Sequence, residues 1–203
     1  AALTVTPSQG DSNTVFHFDA SGSSDNTDRE DQLAVRWDWE SDGVYDTPWT
    51  KTKTIDHQFT LPRGKSWAAT RVTVEVSDGH GPTDKADVIF NLVNTRPVGI
   101  FSVTPATGDA RTLFAFDASA STDAEDGKPG LFRWDWTNDG IFDTRWQSSP
   151  TAEHRFSRDG DYTVRLEVQD SAGLTAWASR PVVVGQGGGG YPAYVPLVLH
   201  NRP

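Results

Sequence analysis

Two short acidic stretches carry regularly spaced oxygen-bearing side chains that are candidate metal ligands. One begins at Asp38 and the other at Asp135, and in each of them oxygen-bearing side chains stand at positions 1, 3, 5 and 9, with glycine at position 6. Calcium binds about six to eight hard oxygen ligands, usually carboxylates with a backbone carbonyl, and a glycine permits the sharp turn around the ion. The spacing therefore predicts one Ca2+ loop in each stretch. The predicted ligands are Asp38, Glu40, Asp42, Val44 and Asp46 in the first loop, and Asp135, Thr137, Asp139, Ile141 and Asp143 in the second, with Val44 and Ile141 contributing their carbonyl groups.

An ordinary polar turn is the alternative for both stretches, because Asp-Gly pairs are favoured in any hairpin. Position 12 is a tryptophan in both copies, Trp49 and Trp146, so the bidentate glutamate of an EF-hand is missing. Since both copies keep three aspartates and the glycine while their neighbours differ, we favour the metal interpretation.

A second group of acidic residues also occurs twice. Three interpretations are open for it: these carboxylates complete the same metal sites, bind another ion, or are solvated turn residues. The candidate ligands are Asp25 and Asp28 in the first copy, and Asp123 and Asp126 in the second.

These motifs repeat because the chain is internally duplicated. Residues 5–25 and 103–123 are identical at 13 of 21 positions, and residues 36–47 and 133–144 at eight of 12. A repeat of this kind predicts two copies of one structural unit.

Apolar residues alternate with polar ones over short runs, as in Val35, Trp37 and Trp39, and no run has sustained helical spacing. A period of two is typical of half-buried strands. Short strands separated by Asp-Gly, Ser-Gly and proline turns predict an all-β fold: two tandem immunoglobulin-like β-sandwiches followed by an extended C-terminal tail. The predicted boundaries are 1–94 for the first sandwich, 95–185 for the second and 186–203 for the linker and tail.

The repeated segments resemble the PKD domain. The resemblance rests on FDASGSSD, VRWDWESDG and RVTVEVSDG in the first copy, and on FDASASTD, FRWDWTNDG and YTVRLEVQDSAG in the second. A Gly-x-Tyr-x-Val strand typical of that family is present at 160–164, whereas the first copy departs from it at 63–67. The resemblance covers about residues 1–93 and 97–185. It implies an extracellular spacer or interaction module of the kind found on surface proteins and secreted hydrolases.

Charge and composition exclude several partners. The formal net charge is −10, which disfavours phosphate backbones and anionic membrane surfaces, so neither nucleic acid nor a membrane is a predicted partner. No stretch approaches the roughly 20 apolar residues that span a bilayer. The chain lacks methionine and opens with Ala1-Ala2, which favours removal of a signal peptide and a secreted or cell-surface location; trimming of a longer chain is the alternative.

The sequence predicts no enzymatic activity. It has no Gly-x-Ser-x-Gly elbow, no His-Glu-x-x-His motif and no cysteine. His57 and His154 occupy equivalent places before a phenylalanine, where packing is the expected role. Trp37, Trp39, Trp134 and Trp136 alternate as core residues do. The other tryptophans leave glycans or cell-surface proteins open as partners.

The C-terminal tail is a β-prone segment that follows a run of glycines. Its candidate assembly residues are Tyr194, Val195, Leu197 and Leu199. Docking on a neighbouring chain by donor-strand addition is the favoured interpretation and predicts a homopolymer. Docking on its own domain and a receptor-read sorting signal are the alternatives.

Taken together, these features predict a non-enzymatic extracellular structural protein, stabilised by calcium and self-assembling into a surface filament through its C-terminal strand. The alternative is a spacer or a carbohydrate- or protein-binding accessory module of a secreted hydrolase.

Overall fold

The computed structural model describes residues 1–26 and 32–185, and strand 198–200. The chain divides into two compact units, unit 1 (Ala1–Asn94) and unit 2 (Thr95–Pro203). The described residues contain strands and turns and no α-helix. The predicted all-β fold class is confirmed.

Unit 1 is a sandwich of two sheets. One sheet has the strand order β1-β3-β5, and the other has the order β2-β7-β6-β4. Neighbouring strands are antiparallel except β2 and β7, which are parallel. The strands are β1 (Thr4–Thr6), β2 (Gln9–Gly10), β3 (Phe16–Asp19), β4 (Ala34–Asp38), β5 (Thr54–His57), β6 (Trp67–Ser77) and β7 (Asp84–Val93).

Unit 2 repeats this arrangement. One sheet has the order β8-β10-β12, and the other runs β11-β13-β14, with β9 and β15 both paired to the outer edge of β14. The strands are β8 (Ser102–Thr104), β9 (Thr107–Gly108), β10 (Phe114–Asp117), β11 (Leu131–Asp135), β12 (Thr151–His154), β13 (Gly160–Gln169), β14 (Thr175–Val184) and β15 (Val198–His200).

A stack of three rings fills the centre of each sandwich. In unit 1 the Trp37 and Trp39 rings are 5.6 Å apart and nearly parallel, and His57 lies 4.2 Å from Trp39. Unit 2 repeats the stack with Trp134, Trp136 and His154 at 5.5 and 4.5 Å. All four tryptophans are buried, and the ring of each histidine stacks on a tryptophan, so the predicted packing role of these tryptophans and histidines is confirmed.

The loop after β4 folds back over the outer face of its own sheet. Tyr45 and Trp49 place their rings 3.7 and 4.6 Å from the guanidinium carbon of Arg36, whose guanidinium also pairs with Glu75. Such cation–π and charged contacts hold a loop against a sheet. Asp38 ends β4 beneath this loop, and this is why a carboxylate on the outer face is buried.

Candidate functional site

The first acidic loop, 38–46, is built around the carboxylate of Asp38. Its Oδ1 accepts a hydrogen bond from the Asp42 backbone N–H (3.1 Å) and its Oδ2 one from that of Gly43 (2.8 Å). The backbone between them turns through positive φ at Ser41 (52°) and Gly43 (90°), a conformation that glycine adopts at least cost. Asp38 therefore folds the turn as well as being a candidate ligand.

Three of the predicted ligands come together in this loop. Asp38, Glu40 and Asp46 each offer a carboxylate oxygen, and these oxygens all lie within 4.8 Å of one another. Asp46 also accepts the Trp39 backbone N–H at 2.8 Å. We name this group the 38/40/46 cluster.

Two other predicted ligands lie outside the cluster. The Asp42 carboxylate accepts the backbone N–H of Val44 at 2.8 Å, within its own turn. Val44 itself is 69% exposed on the tip of the loop.

The pKa of the Glu40 carboxyl is shifted by burial and by the other acids of this loop. Partial burial raises the pKa of its carboxyl, and the charges of Asp46, Asp42 and Asp38 raise this pKa further. A cation beside Glu40 would relieve this repulsion.

The second acidic loop, 135–143, has the same turn but not the same cluster. Asp135 is fully buried and its Oδ2 accepts the Gly140 backbone N–H at 3.0 Å, as Asp38 does with Gly43. Asp143 accepts the Trp136 N–H at 2.7 Å, and Asp139 accepts the Ile141 N–H at 2.8 Å.

Thr137 stands in the second loop where the first has Glu40. Across the described ranges, a three-carboxylate group of this kind forms only in the first loop. The two loops are therefore equivalent in backbone and different in charge.

The other acidic region of unit 2 contains a buried carboxylate oxygen, which belongs to Asp123. Asp123 is 7% exposed, and its Oδ1 accepts the backbone N–H groups of Glu125 (3.0 Å) and Asp126 (2.8 Å). Its Oδ2 is buried and has no hydrogen-bond partner among the described residues. Burial raises the pKa of the Asp123 carboxyl, the two backbone N–H groups oppose this shift, and the charges of Glu125 and Asp126 add to it.

Neighbouring acids tie three segments of unit 2 together around Asp123. Glu125 Oε2 accepts both the N–H and the Oγ1–H of Thr95 at 3.0 Å. Asp126 accepts the N–H of Ser171 at 2.7 Å and its Oγ–H at 2.8 Å. We name Asp123, Glu125 and Asp126 the end-loop acids.

The corresponding region of unit 1 is described only in part. Asp25 is half-buried, and Asp28 lies outside the described residues. Sequence reasoning missed Thr95, Ser171 and the buried Asp170, whose Oδ1 accepts the Leu174 N–H at 2.8 Å. The repeated Val-x-Asp followed by a glycine turn, at 76–79 and 168–173, was the available signal.

The described part of the tail pairs with its own unit. Strand β15 runs antiparallel to 177–179 of β14, with Leu199 opposite Ala178. Tyr194, Val195 and Leu197 lie outside the described residues. The donor-strand prediction therefore stays a prediction. Within the described ranges, no helix has the length and apolar character needed to cross a membrane.

Known proteins match parts of this chain. The family model for the PKD domain matches residues 94–184. A microbial collagenase from Vibrio alginolyticus is 42% identical over 82 residues, which are 40% of this chain and 9% of the collagenase. The chain thus spans about a tenth of the length of that relative.

Two solved structures can be compared with the chain. The PKD1 domain of Vibrio anguillarum Epp is 27% identical, with a TM-score of 0.35, over 45% of this chain and 95% of that one. A structure from work on carbohydrate-binding modules of the β-sandwich superfamily is 29% identical, with a TM-score of 0.41, over 47% of this chain and 37% of that one.

Strand order and the buried ring stack define each unit as a two-sheet, immunoglobulin-like β-sandwich. The match to the family model is more specific than the fold class. The family model for the PKD domain matches residues 94–184, which include the second set of motifs that resemble this domain. Unit 1 repeats its motifs and its strand arrangement.

Proposed function

We propose that this chain is a non-catalytic accessory segment of an exported hydrolase, with calcium bound at the acidic loops. The observation that carries the accessory role is the 42% identity with a segment that makes up only 9% of a microbial collagenase. A module of that size beside a much larger enzyme suits positioning or substrate binding.

The state of the acidic and imidazole groups supports a non-catalytic role. A general base must reach the proton that it abstracts. His57 and His154 instead lie face to face with tryptophan rings, and burial lowers the pKa of both imidazoles. Both carboxylate oxygens of Asp38, and both of Asp135, accept hydrogen bonds from backbone N–H groups.

The buried Oδ2 of Asp123 carries the calcium part of the proposal. A buried polar atom without a partner is costly and calls for an explanation. Bound calcium would explain this oxygen, because a hard cation binds carboxylate oxygens and offsets the repulsion among the end-loop acids. The ion would also fix the first residues of unit 2, since Glu125 already holds Thr95.

The 38/40/46 cluster is the second proposed calcium site. It has three carboxylates within bonding reach of one ion. Burial raises the pKa of Glu40, and the charges of its acidic neighbours raise it further. The loop at 135–143 supplies fewer charges because of Thr137, so we expect weaker calcium binding there.

Exchanging Asp123 for asparagine tests the calcium proposal. In chelator, Asp123→Asn removes a buried charge, so we expect the Tm of unit 2 to stay the same or to rise. In calcium the variant loses a ligand and should melt below the unaltered chain. Saturation at 100 times Kd contributes about 2.7 kcal/mol, which is a shift of several degrees in a domain of this size.

Asp109→Asn is the matched control. Asp109 lies in an exposed turn and accepts hydrogen bonds from Arg111 and Thr112. We expect its Tm to respond to calcium as the unaltered chain does. If calcium leaves the melting of unit 2 unchanged in the native sequence, the calcium proposal is wrong.

The accessory role has its own test. The purified chain should not hydrolyse gelatin or fibrillar collagen, and it should sediment with an insoluble substrate of the parent hydrolase. Hydrolysis by the purified chain would overturn the proposal. Self-assembly through the tail and glycan binding stay predictions.

A further inference from the structure

One difference between the two units lies at equivalent positions of β6 and β13. Strand register makes Tyr162 of β13 and Thr70 of β6 equivalent, because Tyr162 pairs with Val182 and Thr70 with Phe90 at matching places in their sheets. In unit 2 the Tyr162 ring lies 4.1 Å from that of Phe156, and its hydroxyl donates to the Arg158 carbonyl at 2.9 Å. Phe156 is only 2% exposed beneath it.

Unit 1 has a threonine at this position, and its cross-strand partner Phe90 lies 5.0 Å from Phe59 instead. A groove opens beside Phe59. Phe59, the counterpart of Phe156, is only half-buried. The groove has a volume of about 550 Å³. Its lining includes Trp39, Glu40, His57, Phe59, Thr70 and Arg71.

One wall of the groove is a sheet edge. Strand β4 pairs only with 73–77 of β6, so residues 67–72 have no strand partner on that side among the residues that the structure describes. The Asn94 N–H donates to the Ser66 carbonyl, so backbone groups of even-numbered residues in this segment point toward β7. By antiparallel alternation, the N–H and C=O groups of Ala69 and Arg71 point away from β7, toward the groove.

The charge of the groove is asymmetric. Glu40 belongs to the 38/40/46 cluster and brings an acidic end to a groove whose floor is aromatic. Arg71 stands in the lining as well, 3.5 Å from Asp87. A ligand that complements this arrangement carries an aromatic side chain and a basic one.

We propose that unit 1 binds an extended peptide in this groove. The peptide adds a strand to β6 at Ala69 and Arg71, places an aromatic ring on Phe59 where unit 2 has its own tyrosine, and pairs a lysine or arginine with Glu40. Side chains two residues apart in a strand lie on the same face, about 7 Å from each other, so the basic residue follows or precedes the aromatic one by two. This site goes beyond the accessory role, and calcium at the 38/40/46 cluster would compete with the peptide for Glu40.

Binding of a short synthetic peptide to the full chain tests the proposal. The probe is acetylated and amidated Thr-Val-Tyr-Val-Lys-Thr, titrated by calorimetry in chelator so that no calcium competes for Glu40. We expect a Kd below about 1 mM. Replacing the peptide tyrosine by alanine, or the lysine by glutamate, should weaken binding by about tenfold or more.

The decisive variant fills the groove with a side chain of unit 1 itself. Thr70→Tyr gives unit 1 the side chain that unit 2 has, so it should fold and lose peptide affinity by about tenfold or more. Glu40→Gln should weaken binding about threefold and reduce its dependence on salt. Thr54→Tyr, on an exposed position of β5 away from the groove, is the matched control and should bind normally. Asp123→Asn should bind normally too, because Asp123 belongs to unit 2.

Three results would overturn the proposal. Peptide binding that Thr70→Tyr leaves intact places the peptide elsewhere. If an oligosaccharide binds, the peptide does not, and Thr70→Tyr abolishes oligosaccharide binding, the occupant is a glycan. Self-association that Thr70→Tyr abolishes, without peptide binding, makes the occupant a second copy.

Discussion

Unit 1 and unit 2 share a buried Trp-Trp-His stack and differ in polar positions around it. The distances within the Trp-Trp-His stack agree within 0.3 Å, since they are 5.6 and 4.2 Å in one unit and 5.5 and 4.5 Å in the other. The loop acids and the groove position do not agree, because Glu40 is replaced by Thr137 and Thr70 by Tyr162. The duplication therefore separates residues that the sandwich needs from residues that one unit uses and the other does not.

Breaking the shared core should have the largest effect. Trp134 has no exposed surface, and Trp134→Ala leaves a cavity that neighbouring rings cannot fill, so we expect unit 2 to lose about 3–5 kcal/mol. Trp37→Ala should cost unit 1 a similar amount. Denaturant unfolding followed by tryptophan fluorescence measures both, and the untouched unit should keep its own transition. A single shared transition in both variants would contradict independent units.

Exchanging the groove residue should have the next largest effect. Tyr162→Thr removes a ring from Phe156 and a hydrogen bond from the Arg158 carbonyl, so we expect unit 2 to lose about 2–3 kcal/mol. Tyr162→Phe keeps the ring and should cost about 1 kcal/mol. If the two variants lose the same amount, the hydrogen bond and not ring packing closes the groove in unit 2.

Exchanging the loop acids tests the charge difference directly. Glu40→Thr should weaken calcium binding by the first loop, and Thr137→Glu should strengthen it in the second. A tenfold change in affinity is about 1.4 kcal/mol of stability in saturating calcium. Titration calorimetry gives the number of ions bound. Asp42→Ala is the control, because that carboxylate lies outside the cluster, and a loss as large as that of Glu40→Thr would contradict the geometry.

Mild acid should have the smallest effect, and it should be alike in both units. Burial lowers the pKa of His57 and of His154, partly opposed by Asp46 and Asp143. The unfolded imidazoles therefore take up protons first as the pH falls below about 6.5, and both units lose stability there. His154→Gln should flatten the pH dependence of unit 2 between pH 7.5 and 5.5 and leave that of unit 1 unchanged. An unchanged slope in unit 2 would show that other groups titrate.

Much of the fold was predictable because strand patterns are local. Alternation places Val35, Trp37 and Trp39 on one face wherever the strand lies, and the structure has all three buried. The duplication adds a check, since Trp134 and Trp136 repeat the pattern. The role of the two histidines also followed from sequence, because each precedes a core phenylalanine at an equivalent place.

The candidate sites were predictable only in part. The spacing grouped Asp38, Glu40 and Asp46, and their carboxylate oxygens lie within 4.8 Å of one another. Asp42 instead turns back to the Val44 N–H. A loop pattern gives the order of oxygens along the chain and not the direction of each side chain. That direction depends on which backbone N–H groups the folded turn presents.

The sandwich class, the duplication, the buried tryptophans and the places where acidic residues gather could all be predicted from the sequence. The folded chain was needed to show that the Asp123 Oδ2 is buried with no hydrogen-bond partner among the described residues, and that the edge of β6 opens beside Phe59. The difference lies in the range of the interactions along the chain. Alternation and turn chemistry act between neighbours in the chain, whereas burial of one oxygen and the filling of one groove depend on segments that meet only when the sheets pack.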